Sequence, residues 1–154
     1  MQTILFLCSG NYYRSRYAEL LFNHLAARSG LGWRATSRGL SVDRSNNPGP
    51  IAKPTLAALA QAAIMPPQAD IERYPAQVSE AELADADRVI AVKEAEHRPL
   101  LAERFPGWED RVLYWHVHDL DKASAAEALG ALDLHVQALV DELADASGPV
   151  ISGR

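Results

Sequence analysis

Near the start of the chain, Cys8-Ser9-Gly10-Asn11-Tyr12-Tyr13-Arg14-Ser15 sets the only cysteine five residues ahead of an arginine–serine pair. These types at this spacing suit nucleophilic chemistry on an oxyanion. A thiolate is the attacking form of cysteine, and the positive end of a following helix favours it. Successive backbone N–H groups in a curved loop, here from Ser9 to Ser15, can hold a phosphate-like dianion where the loop runs into a helix. Arg14 would add a planar fork matched to two phosphoryl oxygens. Gly10 permits backbone conformations closed to other residues, and Asn11 tolerates left-handed ones. Ser15 would donate a hydrogen bond to the thiolate and steady it later as a leaving group. The competing reading of Cys8 is a small buried hydrophobe, the usual fate of a free cysteine. The nucleotide-binding loops do not fit: GxxxxGK[ST] lacks its lysine here, and no GxGxxG follows the first apolar run.

The elements around this stretch decide between the two readings. Residues 2–7 (QTILFL) form an apolar run suited to a strand buried on both faces. Residues 16–29 show helical spacing through Tyr17, Leu20, Leu21 and Leu25, with Gly30 as a stop. WRATSR (33–38) reads as a second strand, and a loop rich in Asn, Pro and Gly (43–50) leads to a helix over 53–64. Ser79–Glu82 is a capping box, RVIAV (88–92) a third strand, and 94–105 a helix whose start or kink lies near Pro99. RVLYWHV (111–117) reads as a fourth strand, and Ser124–Glu127 caps a last helix running to about Ala146.

This alternation predicts one α/β domain over 1–154, a three-layer structure with a central four-stranded, mainly parallel sheet and helices on both faces. Such folds bind ligands beyond the carboxyl ends of their strands, where Cys8–Ser15 lies. Composition narrows the rest. A 48% hydrophobic and 23% charged chain is that of a globular protein, and the net charge of −5 argues against nucleic acid. One cysteine excludes an internal disulfide and a zinc framework, which fits a reducing cytoplasm. Neither a leader peptide nor a run long enough to span a membrane is present, so no membrane association is expected.

FLCSGNYYRSRYAE (6–19) resembles the N-terminal signature of the low-molecular-weight protein-tyrosine phosphatases and their arsenate-reductase relatives. WRATSRG (33–39), VIAV and the final helix extend the resemblance along the chain. It implies that Cys8 is the nucleophile of a phosphocysteine intermediate and that Arg14 binds the phosphoryl group and stabilises its transition state. It further implies that Asn11 and Ser37 support the loop and that Ser15 assists the thiolate. The general acid and base would be Asp119, in YWHVHDLDKAS, with Asp121 as competitor. In the family, an aspartate–proline pair serves this role; here Leu120 follows Asp119.

The chain departs from the family pattern elsewhere. Tyr13 stands where many members carry a guarding second cysteine, so no local redox switch is expected. Arg16 replaces a proline and is expected to add positive charge near the cleft. Arg73 takes the place of a loop-supporting histidine, and the aromatic pair that follows the aspartate–proline is missing. The implied activity is a phosphomonoester phosphatase of the protein-tyrosine-phosphate type, without cofactor or metal. Its partner is expected to be a phosphorylated protein or small phosphomonoester, and its assembly a monomer or weak dimer. Arsenate reduction with an external thiol, or non-catalytic oxyanion binding, are the alternatives. His116 and His118 would face one side of a strand as two metal ligands might, but no third ligand accompanies them. Trp33, Trp108 and Trp115 read as packing residues, with Tyr12, Tyr13 or Trp115 available to line the cleft.

Overall fold

The computed structural model describes residues 1–118 and 124–147. Asp119 and Asp121 lie outside them. The first apolar run forms β1 (Gln2–Cys8), which ends on the cysteine itself. The helix α1 (Arg14–Arg28) follows, then β2 (Trp33–Gly39) and α2 (Lys53–Gln61). Next come α3 (Gln68–Glu72), α4 (Glu80–Asp85), β3 (Arg88–Ala91) and α5 (Glu94–Arg104). A 3-10 turn at Trp108–Asp110 leads to β4 (Leu113–Tyr114), and α6 (Ala125–Ser147) is the last helix.

The four strands are parallel in the order β2-β1-β3-β4, so the chain steps one way from β1 to β2 and then crosses to the other side. The carboxyl end of β1 is therefore the switch point of the sheet, where neighbouring connections diverge and leave a crevice. Alternation along β1 serves two cores. Ile4, Phe6 and Cys8 face one with Phe22 of α1 and Leu132 and Val136 of α6. Leu5 and Leu7 face the other with Leu83 of α4 and Leu101 of α5. A strand buried on both faces needs this unbroken apolar run, and the α/β architecture with helices on both sides follows.

Beyond shifts of one or two residues at element ends, the structure differs from the sequence expectation at three elements. The fourth strand is two residues long because its partner, β3, ends at Ala91 and the chain turns into α5. The chain beyond Tyr114 still follows that edge, with Trp115 N–H donating to the Ala91 carbonyl at 2.9 Å and Val117 N–H to Val92 at 2.7 Å. The helix α2 stops at Gln61 because Ala63 adopts a left-handed φ of 59°. The short α3, bounded by Pro67, was not foreseen. Pro99 sits inside α5, whose start is Glu94 in the first turn. Both capping boxes form: Glu82 N–H donates to Ser79 Oγ, and Glu127 N–H to Ser124 Oγ, each at 3.2 Å.

Candidate active site

Residues 9–13 bend between β1 and the first turn of α1, and Asn11 takes a left-handed φ of 52°. Asparagine tolerates that conformation better than most residues. Gly10 does not adopt a positive φ; its missing side chain leaves room for Asn47, whose Nδ2 would lie 2.9 Å from a Cβ. The end of β2 fits more tightly. A Cβ on Gly39 would come within 2.8 Å of the Ser9 carbonyl and 2.6 Å of Val42 Cγ2. That close approach lets Leu40 N–H donate to the Cys8 carbonyl and Ser41 N–H to the Ser9 carbonyl, both at 2.9 Å.

The underside of the loop is a directed hydrogen-bond network. Asn11 Oδ1 accepts from Arg73 and from the Ala76 amide, each at 3.1 Å. Both are unambiguous donors, so the amide nitrogen must face the other way. Asn11 Nδ2 accordingly donates to Ser15 Oγ and Ser37 Oγ, each at 2.9 Å. Ser37 passes its own proton to Glu19 Oε1 at 2.5 Å. Ser15 Oγ, which accepts from Asn11, lies 2.9 Å from Cys8 Sγ and can donate its hydroxyl proton to a thiolate there. The Asn11 backbone N–H also donates to Cys8 Sγ, at 3.3 Å. The Ser15 hydroxyl and the Asn11 N–H thus converge on the sulfur from the loop side.

Glu19 gathers this network from below, accepting from Arg16 at 3.1 Å and from Arg73 at 3.2 Å as well as from Ser37. Arg16 was expected to add charge near the cleft, and the structure corrects this. It is fully buried, donates to the Asp70 carbonyl besides Glu19, and lies among the supports. Its position two residues into α1 turns it into the core. Burial pushes its guanidinium below the ordinary value, and Glu19 works against that shift.

Arg14 is buried at the head of α1 and lines a cavity together with Cys8, Ser9 and Gly10. Its Nη1 donates to the Val117 carbonyl at 2.9 Å and its Nη2 to Glu96 Oε2 at 3.0 Å. Glu96 Oε2 also accepts from Ser9 Oγ at 2.5 Å. Contact with His97, whose Nε2 lies 3.3 Å away, holds the Glu96 carboxyl well below the usual carboxylate range, and hydrogen bonds from Arg14 and Ser9 act the same way against its partial burial. Nothing in the sequence singled out Glu96, because an acid in the first turn of a helix reads as a solvated complement to the helix dipole. Gly39 escaped notice too.

The cavity over the loop has a volume of about 990 Å³ and is walled opposite Cys8 by residues 41–54. Tyr12 and Tyr13 line it, and Tyr12 Oη donates to the Pro48 carbonyl at 2.6 Å. Trp115 does not; it packs between Phe6 and the His135 ring, stacked on the latter at 4.8 Å. The expected histidine pair is not assembled as a pair of ligands. His118 Nδ1 meets Lys93 Nζ at 2.8 Å, while His116 faces Glu94 at 4.0 Å. Both lie beyond the two-residue β4, so strand alternation does not align them.

A thiol under two donors, a buried arginine beside it and a large cavity at the switch point of a parallel sheet define a cysteine-centred oxyanion site. The chain belongs to the low molecular weight phosphotyrosine protein phosphatase family, whose sequence model matches residues 3–133; its members are cysteine-dependent phosphatases. No match was found among curated protein sequences. Solved structures share the fold. A low molecular weight phosphotyrosine phosphatase from Vibrio cholerae O395 is 18% identical, with 96% of this chain and 99% of that one covered and a TM-score of 0.78. YfkJ from Bacillus subtilis is 24% identical over 96% of this chain and 97% of its own, with a TM-score of 0.77. The YwlE arginine phosphatase, as a mutant with a phosphorylated active-site serine, is 23% identical over 94% and 95%, with a TM-score of 0.72. Among the described residues, no helix is long and apolar enough to cross a membrane.

Proposed function

We propose that the protein hydrolyses phosphomonoesters through a cysteinyl-phosphate intermediate, with phosphotyrosine or a related phosphorylated side chain of a protein as substrate. The observation that carries this reading is the wiring of Cys8: Ser15 Oγ and the Asn11 N–H both point at its sulfur, at the floor of the cavity that Arg14 also lines. In the first step Cys8 attacks phosphorus, the P–O bond to the leaving group breaks, and an acid protonates the departing oxygen. Arg14 and the backbone N–H groups of Ser9 to Ser15 neutralise the equatorial oxygens, and the N-terminus of α1 adds its partial positive charge. In the second step water attacks the phosphocysteine, the same residue now acts as base, and the thiolate leaves with the Ser15 hydroxyl donating to it. Asp119 is assigned as that acid and base from its position in the family pattern. The half-buried Tyr12 and the Pro48 wall suit an aryl group. The phosphorylated serine in mutant YwlE is a precedent for the phosphorylated nucleophile.

Turnover of para-nitrophenyl phosphate across pH 5–8 tests the reading. Cys8→Ser should lower it at least about 10³-fold. Asp119→Asn should slow aryl phosphate hydrolysis by about 10²-fold, the usual scale for a general acid. An inactive wild type sinks the proposal, and a loss confined to Asp121→Asn reassigns the acid.

A further inference from the structure

Glu96 takes no part in the chemistry just described, yet one of its oxygens touches two residues that do. Oε2 accepts from Arg14 Nη2 at 3.0 Å and from Ser9 Oγ at 2.5 Å. The carboxylate therefore ties the phosphate-binding arginine to the first residue of the loop, although the three come from different elements. Its own position is fixed from behind. The fully buried His97 accepts the Lys93 backbone N–H at Nδ1, at 3.1 Å. In the neutral ring the proton then sits on Nε2, the nitrogen that faces Glu96 at 3.3 Å.

A carboxylate this near an anion site has two possible meanings. It can be a plug that takes the place of the anion, or a strut that holds the arginine from outside. Among the described residues, the cavity wall includes Cys8, Ser9, Gly10 and Arg14 but not Glu96. Glu96 thus reaches Arg14 from the α5 side, outside the described residues that wall the cavity. Arg14 Nη1 is held by the Val117 carbonyl at the same time. Bonds to the Val117 carbonyl and to Glu96, made from different nitrogens, fix the plane of the guanidinium fork.

We infer that Glu96 is a positioning residue that aims Arg14 and Ser9 at the phosphoryl group of the substrate. The inference rests on the phosphatase reading. Without the strut, the long arginine side chain must be ordered at the moment of binding, which weakens both ground-state and transition-state contacts to the phosphoryl oxygens.

The test uses the full chain and two readouts, calorimetric binding of inorganic phosphate and turnover of para-nitrophenyl phosphate. Glu96→Ala should weaken phosphate binding about tenfold, with kcat/KM falling at least as much, the scale of a lost charged hydrogen bond. Glu96→Gln, whose amide oxygen still accepts from Arg14 or Ser9, should lie between wild type and Glu96→Ala in both. Glu142→Gln, which removes the surface pair with Arg88, serves as the control and should match wild type. Phosphate binding that stays level or tightens in Glu96→Ala overturns the inference, since a plug or a passive surface acid would give that result. If Glu96→Ala does not fold, Glu96→Gln decides alone: weaker phosphate binding supports the strut, and equal or tighter binding overturns it. A wild type that binds phosphate without turning over substrate defeats the phosphatase reading and leaves the binding comparison intact. A wild type that binds no phosphate defeats both.

Discussion

Below the Cys8–Ser15 loop, the side chain of Asn11 alone makes four hydrogen bonds, to Ser15, Ser37, Arg73 and the Ala76 amide. Above it, residues 43–46 of the facing wall are exposed, and the Tyr12 hydroxyl reaches across to donate to the Pro48 carbonyl. The difference divides the labour of the site. Buried bonds with fixed donor directions set the shape of the loop around the sulfur, so substitutions on the underside are expected to act on the reaction itself. An exposed wall segment can accept changes in shape at less cost, so substitutions there are expected to alter substrate preference before they alter the reaction.

That contrast can be broken by substitution. Asn11→Ala should have the largest effect of the following, about 10²-fold on kcat with about 2–4 kcal/mol of stability, because it strands buried donors and removes a residue suited to left-handed backbone. Thermal melts and steady-state kinetics check both. Arg73→Ala should cost about tenfold in kcat, since Asn11 Oδ1 keeps the Ala76 amide and Ser37 keeps Glu19. An equal loss in the two variants would show that Arg73, not Asn11, organises the underside.

The acid limb of stability offers a third measurement. Glu96 is held as a carboxylate well below the ordinary range in the folded protein, so its folded pKa is lower than its unfolded one. Its contribution is then fully present above about pH 4.3 and is lost as the pH falls further, through the folded value. Glu96→Gln should accordingly show a smaller drop in melting temperature than wild type between pH 6 and pH 3. An identical drop would remove Glu96 from the acid response. The smallest effect is expected across the cavity. Tyr12→Phe, which breaks the tie to Pro48, should change kcat less than about threefold while shifting KM for bulky aryl phosphates, as the loss of one exposed hydrogen bond implies. A tenfold drop in kcat would mean that the wall shares in shaping the cradle.

Local pattern carried most of the fold. The unbroken apolar run of β1, the helical spacing after Arg14 and the two capping boxes are signals within a few residues of the elements they specify. The extent of β4 was not legible, because it depends on where β3 ends and not on residues 111–117 themselves. The same distinction runs through the site. Cys8, Asn11, Arg14 and Ser15 fall within one motif and lie close together in space, and Ser37 meets Asn11 through the parallel register of β1 with β2. Arg16 misled because a charged residue beside the loop reads as exposed, and only the turn of α1 shows that it points inward onto Glu19. Glu96 was invisible for a related reason: its partners lie more than eighty residues away in sequence, and its own neighbourhood resembles any acidic helix start.

Gly39 has no functional group, titrates nothing and touches no substrate, yet the Ser9 carbonyl lies 2.8 Å from where its side chain would begin. Because that contact is with backbone, a methyl group there cannot be absorbed by a rotamer change and must displace the loop. In a saturation mutagenesis map scored by activity, position 39 should therefore be nearly as blank as position 8. The heritable requirement for catalysis thus extends to a position defined only by the absence of atoms.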